Sequence, residues 1–361
     1  MFDYHIGVSD AMAQLLISRG FDPQTMFAIY NGIDFSPVVP KLDRQAYLRS
    51  VGMETAENTV VFGIAARLDP VKDVGTLIRG FSIAVKTHPN IRLLIAGLCS
   101  LMHKEGHDGA EICVGYDRRF LSKESAHWAA EVMAGYGFRP YVINRSSPTP
   151  LMMFMVKKRV MPYGIAVTAS HNPAIYNGIK VFTAGGRDAD RTVTDKIESE
   201  IAQIDPDKIQ SMDYDAAVAA GMITEHNPTN EYIDSILSAI DVEAIKNAQL
   251  RIALDPMYGV SQTSLSMILM TCRCDLEIIH DPLFGGKLPA PNEDTLGPLA
   301  AVVMDRYRCD LGIATDGDAD RLGVIDDQGQ FVHPNKLLVL LYYYLVKYRG
   351  WQGPCVRNNS T

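Results

Sequence analysis

The sequence predicts an α/β protein whose layers are built on mostly parallel sheets. Three observations carry this. Short apolar strand patterns alternate with amphipathic helix patterns along the whole chain, the order that βαβ units produce. At 361 residues the chain exceeds what one hydrophobic core usually fills, so two or three domains are expected. Two polar loops, Thr168-Ala-Ser-His-Asn-Pro173 and Thr315-Asp-Gly-Asp-Ala-Asp-Arg321, each directly follow an apolar strand pattern. The C-terminal ends of strands are where open α/β sheets bind ligands.

The elements follow in order. Ser9 reads as the N-cap of a helix over residues 10–19, closed by Gly20. Val60-Val-Phe-Gly-Ile-Ala65 and Ile91-Arg-Leu-Leu-Ile-Ala96 read as buried strands, joined by a helix on which Leu77, Ile78, Phe81 and Val85 share a face. A strand at 111–115, a helix at 123–136 and strands at 141–143 and 164–168 come next, the last running into Ser170. A helix at 192–204 carries Ile197, Ile201 and Ile204 on one side. Beyond it, the patterns give a helix at 231–240, a strand at 250–254, a turn at Asp255-Pro-Met-Tyr-Gly259, a helix at 262–270 and a strand at 276–279. The strand Leu311-Gly-Ile-Ala314 feeds the acidic loop.

Composition excludes several classes of function. The net charge of −8 supplies no basic face for a polyphosphate backbone, so nucleic acid is not an expected partner. Six scattered cysteines, with only Cys272-Arg-Cys274 close to a pair, read as reduced thiols and not as a zinc site. The N-terminus has neither a basic region nor an apolar core of the signal-peptide kind, and the most apolar run, 337–346, falls well short of the roughly 20 residues that span a bilayer. A cytoplasmic protein without a membrane partner is expected.

The two loops carry the chemistry. The first offers a hydroxyl, Ser170, at a strand end, and the second offers Asp316, Asp318 and Asp320 at alternate positions with Arg321 beside them. Hard carboxylate oxygens suit Mg²⁺ better than zinc. An EF-hand calcium loop is the rival reading, but its sixth position holds Arg321 where Gly is needed and its twelfth holds Asp327 where a bidentate Glu is usual. Taken alone, Ser170 reads as a turn serine, His171 as a structural histidine and Lys180 as a surface lysine. Ser170 and His171 are not expected to pair as in a hydrolase, because adjacent side chains on extended backbone point apart. Taken together, the two loops suggest a phosphoserine held next to a divalent cation.

From about residue 98 the motifs Val114-Gly-Tyr-Asp-Arg-Arg-Phe120, Thr149-Pro150, the serine loop, Asn177-Gly-Ile-Lys180, Asp255-Pro-Met-Tyr-Gly259 and the acidic loop occur in the order seen in the α-D-phosphohexomutases, which residues 98–361 resemble. The resemblance implies consecutive three-layer α/β domains with mixed, mostly parallel sheets: 98–190 with the serine loop, 191–330 ending in the metal loop, and 331–361 starting a third domain. It implies interconversion of hexose 1-phosphate and 6-phosphate, with hexose 1,6-bisphosphate as activator. By the same resemblance Ser170 carries the phosphoryl group, whose charge of about −2 needs a cation. Asp316, Asp318 and Asp320 would hold Mg²⁺ together with the phosphoserine oxygen, Lys180 and His171 would act as general acid or base, and Arg321 would contact the phosphoryl group. The family's opening Gly-Thr-(Ser/Asp)-Gly strand and its later sugar-reading and phosphate-gripping loops do not occur here, so impaired turnover is expected and glucose versus mannose stays open.

Residues 1–97 resemble part of the donor-binding domain of group 1 retaining glycosyltransferases, through Gly7-Val-Ser-Asp10, Tyr30-Asn-Gly-Ile33 and Ala66-Arg-Leu-Asp-Pro-Val-Lys-Asp73. That likeness implies that Arg67 and Lys72 bind the diphosphate of a sugar nucleotide, and two cations before a helix N-terminus do make an anion site. The family's later Glu-rich motif does not follow Gly97.

Overall fold

The structure, a computed structural model, describes residues 5–7, 14, 17, 26–28, 89–172, 176–280, 290–305 and 308–355. The chain divides into two compact units, 1–65 and 66–361. In the first, strands β1 (His5–Gly7) and β2 (Met26–Ala28) pair in parallel. Of the helix expected over 10–19, Gln14 and Ile17 are described and both are helical. The strand expected at 60–65, the helix carrying Leu77, and both Arg67 and Lys72 lie outside the described residues.

Among the described residues, the first element of the second unit is helix α1 (Pro89–Lys104), where the sequence reading expected a strand at 91–96. A short apolar run cannot be told from a buried helix segment by periodicity alone, and what decides here is how the run continues. Ile95, Leu98, Cys99 and Met102 recur every three or four residues and are fully buried. The interior Gly97 fits this packing: a Cβ there would lie 2.5 Å from Ile201 Cγ1 on helix α4 (Arg191–Ile201), so its absence lets the two helices approach closely.

Six strands form the first sheet: β3 (Glu111–Tyr116), β4 (Arg139–Ile143), β5 (Tyr163–Val167), β6 (Ile179–Thr183), β7 (Arg187–Asp188) and β8 (Thr224–His226). Their order is β7-β6-β5-β3-β4-β8, with β3, β4, β5 and β8 parallel and the β6 and β7 edge antiparallel. Successive residues serve opposite faces. Ile112, Val114, Val142, Ile165 and Val167 pack with α1 and helix α2 (Ser122–Gly135), while Cys113, Tyr141, Ile143 and Ala166 pack with helix α3 (Thr149–Lys158). Burial on both faces explains why these strands read as continuous apolar runs. The sheet continues past residue 190, where the sequence reading set a boundary: α4 packs on α1, and β8 pairs with β4 after a short helix α5 (Tyr214–Ala219).

Helices α6 (Thr229–Ala239) and α7 (Val242–Ala248) lead into a second sheet of β9 (Arg251–Asp255), β10 (Asp275–Ile278), β11 (Leu311–Thr315) and β12 (Leu322–Ile325), in the order β10-β9-β11-β12. Only the β11 and β12 pair is antiparallel. Helix α8 (Ser261–Thr271) closes one face with Leu269 and Cys272, and helix α9 (Gly297–Met304) closes the other with Leu299 and Val303. Both sheets are therefore the middle layer of three. Helix α10 (Pro334–Lys347) follows; it contains the apolar run at 337–346, and no described helix is long and apolar enough to cross a membrane. All six cysteines are free, and five of them are buried.

Candidate functional site

The two expected loops meet. Ser170 lies beyond the C-terminal end of β5 and Asp316 beyond that of β11, and Ser170 Oγ donates a 2.7 Å hydrogen bond to Asp316 Oδ2 across 146 residues of sequence. Two sheets contribute to this meeting. Ser170 follows β5 on the first sheet and Asp316 follows β11 on the second, each at the C-terminal end of its strand. On the first sheet the antiparallel β6 starts where β5 ends, which places Lys180 opposite Ala166. Lys180 Nζ donates to Asp318 Oδ2 at 2.8 Å and also to Asp320 Oδ2.

Ser170 has a left-handed backbone, φ +50°, which costs a non-glycine residue about 1–3 kcal/mol. This conformation overturns one expectation. Because Ser170 is not extended, the His171 and Ser170 side chains do not diverge, and His171 Nδ1 lies 3.5 Å from Ser170 Oγ. Arg321 lies at the rim of the site. Its side chain is half exposed and 3.9 Å from Asp316, whereas its backbone N–H donates to Asp316 Oδ1 at 3.0 Å, as does that of Asp320.

Charge in the acidic loop is unbalanced. Ligand oxygens of Asp316, Asp318 and Asp320 lie within 4.8 Å of one another, and Asp316 and Asp318 are fully buried. Burial, then the negative charge of Asp318, pushes the Asp316 carboxyl up to about 7. For Asp318, burial opposes ionisation, but the Lys180 ammonium and the Thr149 hydroxyl outweigh it and hold the group below the usual carboxylate range. Thr149 Oγ1 donates to Asp318 Oδ2 at 2.7 Å, yet Asp318 Oδ1 is buried without any hydrogen-bond partner. A buried carboxylate oxygen with no partner beside two further carboxylates fits a divalent cation, which would satisfy that oxygen and relieve the repulsion. Desolvation acts against the charge of Lys180, but the two aspartates more than offset it and raise its pKa. Burial, then the charge of Arg321, lowers the pKa of His171 and favours a neutral ring.

A supporting network joins residues, most of them within the sequence motifs, to which those motifs assign no role. Asp117, just past β3, is buried; it accepts from Thr168 Oγ1 (2.8 Å), Ser122 Oγ (2.7 Å) and Arg119 Nε (3.1 Å). Thr168 Oγ1 in turn accepts from the Ser170 N–H at 2.9 Å. Asn177 Nδ2 donates to Ser122 Oγ and to the Phe120 carbonyl, tying the far side of the serine loop to the same segment. The available signal was Asp-Arg-Arg at the end of an apolar strand, which periodicity ignores. The acidic loop has its own support: Val260 N–H donates to the Gly317 carbonyl at 3.1 Å, and Ser261 Oγ and Thr315 Oγ1 lie 2.6 Å apart.

Known proteins resemble this chain in sequence and fold. The family model for phosphoglucomutase/phosphomannomutase, alpha/beta/alpha domain I, matches residues 77–208, beginning inside the segment for which a glycosyltransferase likeness was expected. The model for alpha/beta/alpha domain II of the same family matches residues 230–329. A phosphoglucosamine/phosphogalactosamine mutase of Sulfurisphaera tokodaii is 32% identical over 201 residues, covering 55% of this chain and 43% of the relative. A phosphoglucomutase of Staphylococcus saprophyticus is 28% identical over 270 residues, covering 70% of this chain and 48% of its own. The solved structure of a candidate phosphomannomutase from Thermus thermophilus superposes with a TM-score of 0.63 at 26% identity, covering 72% of this chain and 57% of that one. The chain thus spans about half the length of the curated relatives it matches. Two consecutive domain models, matched in order, show that this chain belongs to the phosphoglucomutase/phosphomannomutase family of α-D-phosphohexomutases.

Proposed function

We propose that the second unit holds the phosphoryl-exchange centre of a phosphohexomutase, with Ser170 as the group that carries the phosphoryl between two hydroxyls of a hexose phosphate. The observation that supports this best is the 2.7 Å contact of Ser170 Oγ with a buried acidic cluster that leaves Asp318 Oδ1 unsatisfied. A lone turn serine has no use for three carboxylates. A carrier serine does, because a bound Mg²⁺ would neutralise charge on the phosphoryl oxygens. Asp316, Asp318 and Asp320 would hold that ion.

In the loading half-reaction, Ser170 Oγ forms a bond to phosphorus of a hexose 1,6-bisphosphate and the phosphorus–sugar oxygen bond breaks. The Oγ proton passes to His171 Nδ1, on a ring that its lowered pKa keeps neutral, and Lys180 Nζ, kept charged by the two aspartates, protonates the departing sugar oxygen. The return half-reaction reverses these transfers onto the other hydroxyl. Sugar identity is set elsewhere than in these loops; glucose, mannose and glucosamine phosphates are the candidates, the last from the names of the relatives.

Intact-mass measurement tests the proposal. Incubating the chain with glucose 1,6-bisphosphate and Mg²⁺ should add one phosphoryl group to the wild type and none to Ser170→Ala. A wild type that stays unmodified, or a Ser170→Ala chain that gains the same group, would overturn it.

A further inference from the structure

We propose that Arg119 is a positioning residue that sets where the Ser170 hydroxyl points, by holding the serine loop in its left-handed turn. This rests on Ser170 being the phosphoryl acceptor. The Arg119 side chain is buried, and its guanidinium is shared between two tasks. Nε faces the carboxylate of Asp117, two residues earlier, at 3.1 Å. The other nitrogens face the loop: Nη2 donates to the Ser170 carbonyl at 2.6 Å and the Asn172 carbonyl at 2.7 Å, and Nη1 to the Tyr176 carbonyl at 3.1 Å. Three carbonyls, that of the serine itself and two beyond it, therefore converge on one planar cation.

This convergence has a physical purpose. A turn through φ +50° at Ser170 directs neighbouring carbonyls inward, where they need a donor. A buried guanidinium supplies several donors in a fixed fork, and burial, opposed by the Asp117 charge, lowers its pKa without changing that geometry. Without the fork, Ser170 loses the donor at its own carbonyl and its backbone is free to relax toward ordinary φ. That relaxation would swing Oγ away from Asp316 Oδ2 and from His171. A lysine in its place is a point charge with no fixed fork to bridge three carbonyls.

The test is the single-turnover rate of phosphoryl uptake from glucose 1,6-bisphosphate with Mg²⁺, followed by intact mass, in wild type, Arg119→Lys and Asp117→Asn. Near-ultraviolet circular dichroism checks that each is folded. A misplacement of about 1 Å costs on the order of 10²-fold in rate. Arg119→Lys should accordingly lose about that factor in the saturating rate constant, with the half-saturating bisphosphate concentration unchanged. Asp117→Asn, which frees only one edge of the guanidinium, should lose less. Millimolar guanidinium ion should partly restore uptake in Arg119→Ala, an effect opposite to the one a purely stabilising role predicts. Unchanged rates in folded Arg119→Lys would overturn the role of Arg119 while leaving Ser170 in place. A wild type that takes no phosphoryl group would overturn the reading of Ser170, and the role of Arg119 with it.

Discussion

Thr149 and Asp318 are joined twice: the Thr149 N–H donates to the Asp318 carbonyl at 2.9 Å, and its hydroxyl donates to Asp318 Oδ2 at 2.7 Å. One residue at the start of α3 on the first sheet thereby fixes both the backbone and the side chain of an aspartate on the second. Together with the Ser170 to Asp316 contact, it holds the serine loop and the acidic loop in one register.

The unsatisfied oxygen of Asp318 predicts cation-linked stability. Ligand that binds only the folded state at 100 times its dissociation constant stabilises by about 2.7 kcal/mol. Thermal unfolding of the wild type should shift upward with millimolar Mg²⁺ and back with a chelator. Asp318→Asn should abolish the shift, and equal shifts in both proteins would show that the ion binds elsewhere.

Gly259 should resist any side chain. A Cβ there would lie 2.7 Å from the carbonyl oxygens of both Asp316 and Gly317, and backbone of a constrained loop has little room to yield. Gly259→Ala is expected to destabilise by about 1–3 kcal/mol and to weaken Mg²⁺ binding, measured by urea unfolding and by calorimetry. Gly297→Ala has nothing within 4 Å of the added carbon and should leave cation binding unaltered.

Glu200 on α4 predicts a dependence on pH. Its hydrogen bonds from Lys104 Nζ (2.7 Å) and Ser100 Oγ (2.7 Å) hold its carboxyl below the usual range against an opposing burial effect. A depressed folded-state pKa contributes stability that is present above the unfolded pKa and is lost as pH falls through the folded one. Glu200→Gln should therefore narrow the loss of stability between neutral and acid pH. With Lys104 57% exposed, the difference should stay below about 1 kcal/mol. Urea midpoints at several pH values would check it, and identical acid limbs would refute it.

Leu98 tests whether α1 belongs to the first domain's core. It is fully buried among residues of that core. Leu98→Ala should cost about 2–5 kcal/mol in chemical unfolding. A cost well under that range would mean that α1 packs loosely, and then the strand expectation would deserve revisiting.

Much of the site was legible in the order of residue types. Ser170, Asp316, Asp318 and Asp320 could be singled out because each loop follows an apolar strand, and Lys180 through the resemblance of its motif alone; that the two loops, on different sheets, meet was not legible in strand order. The α1 segment was misread because Ile91 to Ala96 is apolar at every position except Arg92, a pattern that a strand and a buried helix share. Asp117 and Arg119 stood in one of the motifs that carry the resemblance but were given no role, because nothing local distinguishes a buried ion pair from two solvated charges.

By itself, the sequence determined the α/β class, most of the described elements and the residues of both loops, because these follow from hydrophobic period and from short-range chemistry. The tertiary structure decided the rest: the left-handed turn at Ser170, the convergence of three carbonyls on Arg119, the unpartnered oxygen of Asp318 and the engagement of Lys180 by two aspartates. Those depend on which groups lose water together, and burial is a property of the packed chain, not of any stretch of it.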